Sequence, residues 1–150
     1  MKEIYYVYNN EAIASCVLLS IINNVGRIDI ARCCLLLPSF LDDKTVSFLN
    51  KGFSEDVSLD KLIKDQQRLF ATFNKKYLSL LPVMINSLMI LKKGGQIQIQ
   101  DNITSTNKLD IINVDLGNRF VKIKEAIPTF LKLTNDYSTE QLYKILRVQL

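Results

Sequence analysis

Histidine and tryptophan are absent from this 150-residue chain, and proline (3), cysteine (3) and glycine (5) are scarce. Without histidine there is no Ser-His or Cys-His nucleophile pair, no imidazole general base and no imidazole metal ligand. Carboxylate, lysine or tyrosine chemistry stays open, but the commonest hydrolytic and metal-dependent arrangements are gone. The small share of glycine and proline speaks against a low-complexity chain, and 48% hydrophobic residues speak against a disordered one. Cys16, Cys33 and Cys34 all lie in apolar runs, and the adjacent pair lacks the C-x-x-C spacing of zinc and redox motifs. They read as free, buried thiols of a cytosolic protein. The longest apolar stretch, Ala12 to Ile22, is broken by Ser15, Cys16 and Ser20. It falls short of the roughly 20 residues a membrane span needs. Glu3 and Glu11 stand where a signal peptide carries basic residues. The chain therefore reads as soluble and cytoplasmic, with no membrane partner.

What is present suits one domain over 1–150, a length that buries about 68–70% of the unfolded surface. Charge divides it. Residues 1–60 hold 5 basic and 8 acidic side chains, and residues 61–150 hold 14 and 7, which together give the net +4. Between Lys61 and Lys93 seven basic residues face a single acid, Asp65. An apolar helical part (1–57) thus precedes a basic part (58–150), where any nucleic-acid surface should lie.

The run Ile4 to Tyr8 is β-prone, and Asn9-Asn10 is a good N-cap pair for a helix from Glu11 to Asn24 that Gly26 stops. Asp29 caps a second apolar helix, Ile30 to Leu37, that Pro38 should end, and Asp42 or Asp43 caps a third, running to Gly52. Helices 11–24 and 30–37 are apolar on nearly every face, so either part of their surface meets a partner or they form the core. Ser58 opens the longest amphipathic pattern, from Leu59 to Leu80, with Gln66 as its one polar exception. Pro82 should kink this helix or start the next, Val83 to Leu91, which Gly94-Gly95 turns into an alternating strand, Gln96 to Gln100. Asp101-Asn102 is turn chemistry. Ser105 or Thr106 then opens either a helix with Leu109, Ile112, Leu116 and Phe120 on one face, or a strand over Leu109 to Val114; the helix is favoured. Pro128 interrupts the next apolar stretch, and Ser138 with Gln141 makes a capping box for a last helix.

No phosphate-cradling, dinucleotide-binding or nucleophile-elbow motif occurs. Asp42-Asp43 and Glu55-Asp56 sit where carboxylates cap helices, so no catalytic, cofactor-binding or metal-ligating set is assigned. Helix, helix, Gly-Gly and a short strand is the order of a winged-helix unit. The absence of arginine from 83–95 favours sequence-independent backbone contact over base readout. The fold class expected is α+β, predominantly helical, with a small winged-helix-like β-hairpin near 83–103.

Several segments also resemble one family. Tyr8-Asn9-Asn10-Glu11-Ala12 resembles the opening Y-N-N-P-x signature of the middle components of bacterial three-component ABC/SMC-like systems, with Glu11 in place of proline. Leu35-Leu36-Leu37-Pro38 followed by Asp42-Asp43-Lys44-Thr45 is similar to their leucine-proline segment and its continuation. The Pro82 region with Gly94-Gly95 is similar to their L-x-P-x-x-x-x-A-L stretch, with Ser87 near the expected alanine. Leu116-Gly117-Asn118-Arg119-Phe120 resembles their L-G-x-W-F box, with Arg119 in place of tryptophan. The resemblance implies a non-catalytic subunit beside an SMC-like ATPase dimer, which supplies ATP hydrolysis and DNA engagement, and beside an effector that is often a nuclease. Its best-known setting is Lamassu-type anti-phage or anti-plasmid defence.

The expected role is an accessory subunit that joins the ATPase to its effector and helps control it or hold double-stranded DNA. Lys75, Lys76, Lys92, Lys93, Arg119 and Lys122 are the candidates for DNA-backbone contact. Tyr8, Asn9 and Asn10 are expected to shape the first helix's entry. Leu116, Gly117 and Phe120 are expected to pack, with Gly117 allowing a close approach, and an interface there is the sharper reading. The alternative is a free-standing winged-helix regulator or antitoxin; a histidine-free hydrolase ranks below both.

Overall fold

The computed structural model describes residues 9–111 and 113–149. The β-prone run Ile4 to Tyr8 lies outside them. Helix α1 (Glu11–Val25) begins where the Asn10 side chain accepts the N–H groups of Ala12 (3.0 Å) and Ile13 (3.3 Å). It stops at Gly26, whose φ of 79° is open to glycine at little cost. Strand β1 (Arg27–Ile28) leads to α2 (Ile30–Phe40), capped by Asp29, and then to α3 (Asp43–Asn50), capped by Asp42. Ser58 caps α4 (Leu59–Asp65), and α5 (Gln67–Phe70) precedes the long α6 (Phe73–Lys93). The hairpin β2 (Ile97–Ile99) and β3 (Ile103–Ser105) follows, then α7 (Asn118–Thr134) and α8 (Thr139–Ile145). The α8 capping box has both reciprocal bonds. The fold is α+β and predominantly helical, as the sequence predicts.

The sheet has the order β1-β3-β2, antiparallel throughout, with Ile28 opposite Ile103 and Ile97 opposite Ser105. Ile28, Ile97 and Ile103 are buried. They close one end of a core to which α1, α2, α6, α7 and α8 all contribute, from Ala14 to Leu146. Every residue from Cys33 to Phe40 is buried, so α2 is covered on all sides.

Three boundaries differ from expectation. Pro38 does not end α2, which runs on to Phe40, with the Leu41 N–H bonding the Leu37 carbonyl at 3.2 Å. A proline inside a helix costs about 3 kcal/mol. Burying Leu35, Leu36, Leu37 and Phe40 contributes about 1.5–3 kcal/mol each, so packing wins. The long pattern from Leu59 is not one helix. It breaks at Gln66, its polar exception, whose ψ of 48° leaves the helical region. Pro82 and Pro128 lie inside α6 and α7 rather than breaking them, and both face solvent. There, water can satisfy the carbonyl that loses its N–H partner.

The expected helix beginning at Ser105 or Thr106 is absent. Ser105 belongs to β3, Asn107 has a φ of 56°, and α7 opens only at Asn118. Leu109 and Leu116 are exposed, so the apolar face that favoured a helix there is not buried. Gly117 is not a close-approach glycine, because nothing lies within 4 Å of the place a Cβ would take. Its role is conformational: φ 92° and ψ 168° form a combination that side chains bar. We therefore expect Gly117→Ala to lower the unfolding free energy by about 1–3 kcal/mol in urea titrations, with the helical spectrum retained.

Candidate functional site

The six candidate DNA contacts do not form one patch. Lys75 and Lys76 sit in the first turns of α6, and Lys92 and Lys93 in its last, roughly 25 Å away at 1.5 Å per residue. Lys75, Lys92, Lys93 and Lys122 are exposed. Lys76 is half-buried and pairs with Asp42 at 3.1 Å. Lys108, which the sequence reading missed, approaches Lys92 and Gly95 beside the hairpin, in a groove of about 370 Å³. The loop that replaces the expected helix brings it there, so periodicity could not have found it.

Arg119 is placed differently. Its guanidinium donates to the Asn9 side chain (2.6 Å), the Leu41 carbonyl (3.2 Å) and the Asp43 carboxylate (3.2 Å). Asn9 is 3% exposed. Arg119 thus ties the entry of α1 to the α2–α3 corner and to α7, and would have to leave these partners to reach a phosphate. Beside this latch, burial pushes the Asp42 carboxyl up, but hydrogen bonds from Thr45 and Lys76 outweigh it and hold the group below its usual value. Among the other motif residues, Asn10 caps α1 as expected, Phe120 is buried, Leu116 is exposed, and Tyr8 lies outside the described residues.

The thiols match no redox site. Cys33 and Cys34 are buried and Cys16 is half-buried, all three free. Burial raises all three, Cys34 to about 11. No group of three or more Cys, Asp or Glu suited to a metal ion occurs among the described residues. No helix among them is long and apolar enough to cross a membrane. A groove of about 530 Å³ runs between α3 and α7, where Glu125, Lys132 and Asp136 line it with Phe53, Leu133 and Tyr137.

For the apolar helices the core reading holds over the partner reading: Val17, Leu18, Ile21 and Ile22 of α1 and Leu35 to Leu37 of α2 are buried. The exposed apolar side chains cluster elsewhere, on α6, where Leu78 is 45%, Ile85 52% and Met89 43% exposed.

A family model for the ABC-three component (ABC-3C) system middle component 3 matches residues 1–150. The chain belongs to that family. No curated protein and no solved structure matches it. As a middle component it is an accessory subunit of a three-component ABC system, so partner ABC components are implied. In this middle component, three of the segments that carried the resemblance converge on Arg119: Asn9 from the opening signature, Leu41 and Asp43 beside the leucine-proline segment, and the L-G-N-R-F box itself.

Two outcomes follow for the latch. Arg119→Met strands the buried Asn9 amide and should cost about 1–3 kcal/mol of unfolding free energy in denaturant titrations. Asp42 has a lower pKa folded than unfolded, so its contribution is complete at neutral pH and is lost as pH falls through the carboxylate range. Stability should therefore drop between about pH 5 and pH 3, and Asp42→Asn should flatten that drop in pH-dependent melts.

Proposed function

We infer that this middle component is a non-catalytic adaptor that joins an SMC-like ATPase dimer to an effector nuclease. The setting is Lamassu-type anti-phage or anti-plasmid defence in the cytoplasm. The observation that carries the reading is the family match along the whole chain. The character of the site agrees with it. Arg119, Asp42, Asp43 and Lys76 are engaged with one another and with the backbone, in an arrangement suited to holding helices together. Lys108 beside the hairpin and the exposed Lys122 of α7 are available for the phosphate backbone of DNA held by the ATPase.

A free-standing winged-helix regulator is the second reading, and one observation favours it. A helix, a strand and a helix, followed after the three short helices α3 to α5 by a long helix leading into a hairpin, with the early strand pairing the hairpin's second strand, resembles the winged-helix order with extra helices inserted. The helix that would enter the major groove is α6, and its outward side carries Leu78, Ile85 and Met89, which cannot pair with base edges. That weighs toward the adaptor.

Co-expression with the two other components of its own system tests the adaptor. A stoichiometric complex that hydrolyses ATP, with no ATPase or nuclease activity from this chain alone, is expected. A lone homodimer that footprints one operator would replace the adaptor with the regulator. Reversing Lys108 and Lys122 to glutamate should weaken DNA binding by the assembled complex and reduce its dependence on salt. Unchanged affinity and slope would remove DNA contact from these residues.

A further inference from the structure

Helix α6 is apolar on two opposite sides. One side, Phe73, Tyr77, Leu80, Met84, Leu88 and Leu91, is buried against α1 and α2. On the other, Leu78, Pro82, Ile85 and Met89 recur at intervals of four, three and four residues, and all are exposed. This is the spacing of a helix-packing seam, about 16 Å long at 1.5 Å per residue. The fold does not use it. Lys75 and Lys92 continue the same spacing at its two ends, with Lys93 next to the latter.

We propose that this outward seam of α6 is a docking surface for one amphipathic helix of another component, whose apolar positions are bordered by aspartate and glutamate. The charges on the page select that occupant. Residues 73–93 contain four lysines and no acidic residue. Among the described residues two carboxylates bond to the helix, Asp42 to Lys76 and Glu11 accepting from Asn86, and neither pairs with Lys75, Lys92 or Lys93. Among the described residues Lys75, Lys92 and Lys93 make no ion pair. A second copy of this chain would set lysine against lysine in either direction. Parallel pairing puts Lys75 on Lys75 and Lys92 on Lys92, and antiparallel pairing puts Lys75 on Lys92. Duplex DNA has no complement for four adjacent apolar side chains in a groove. An acidic-bordered helix covers the apolar seam and neutralises both ends.

The proposal deepens the adaptor reading and rests on it. The test uses the full-length chain co-expressed with the two other components of its system. A photo-crosslinking amino acid replaces Ile85, and Ile85→Glu/Met89→Glu is prepared alongside. Both positions are exposed, so the double variant should keep the wild-type helical spectrum and melting temperature. We expect it to bind the assembled partners at least about a hundredfold more weakly, as loss of a buried apolar anchor pair does. The crosslink should map to a helix of another component with acidic residues beside its apolar stripe. Lys92→Glu/Lys93→Glu should weaken the complex most at low salt, and Lys92→Arg/Lys93→Arg should not. Wild-type affinity in the Glu double variant, a crosslink to a second copy of this chain, or a crosslink to a helix bordered by lysine and arginine would each overturn the docking proposal while leaving the adaptor intact. If the wild-type chain assembles with neither component, the adaptor falls and the docking surface falls with it.

Discussion

Helix α2 is the constraint around which the molecule is built. From Cys33 to Phe40 it has no side that tolerates water, so other elements must cover its whole circumference. Helices α1, α3, α6, α7 and α8 all pack against it. Phe40 meets Phe130 of α7 edge to face, with ring centroids 5.6 Å apart. The same demand explains why Pro38 is tolerated within the helix. It also explains why Cys33 and Cys34 serve as small apolar side chains, their thiols held protonated by burial. Because the covering elements come from both ends of the sequence, the acidic first part and the basic second part share one core.

Local chemistry in the sequence was the legible part. Asn10, Asp29, Asp42, Ser58 and Ser138 each cap the helix they were expected to cap, because a side-chain oxygen acting within three residues needs no tertiary context. The alternation around Ile97 and Ile99 announced a strand for a similar reason. Proline was misread at Pro38, which does not end its helix, and at Pro82, which does not start a new one. Its local cost is real, but tertiary burial at Pro38 and solvent exposure at Pro82 and Pro128 decide the outcome, and neither is visible along the chain. The two-residue strand β1 was also hidden, since it exists only because β3 pairs with it.

The site followed the same division. Asn9, Asn10 and Arg119 could be singled out one by one, yet their convergence was not readable, because Arg119 lies 110 positions from Asn9. An arginine on a basic stretch looks available for phosphate until the carbonyl and carboxylate that surround it are in view. The outward apolar seam of α6 was written in the sequence as Leu78, Pro82, Ile85 and Met89. The stronger inward pattern masked it, since two apolar stripes on one helix read as one broad apolar helix. Knowing which stripe the fold leaves uncovered requires the fold.

The start of α2 is joined to the C-terminal helices by polar bonds of long reach. Arg32 of α2 donates to the carbonyls of Thr134 (2.9 Å) and Tyr137 at the end of α7, and Asp29, which caps α2, also accepts from the Thr139 hydroxyl at 2.7 Å. Tyr143 reaches back to the Ala31 carbonyl at 2.7 Å. Closing loops of a hundred residues is slow, and contacts of such separation reward the chain only late in folding. During synthesis α2 can be covered only in part, by α1, α3 and α6, until α7 and α8 have left the ribosome. The nascent chain is most vulnerable to aggregation through that interval, and its safe folding is tied to the speed of translation.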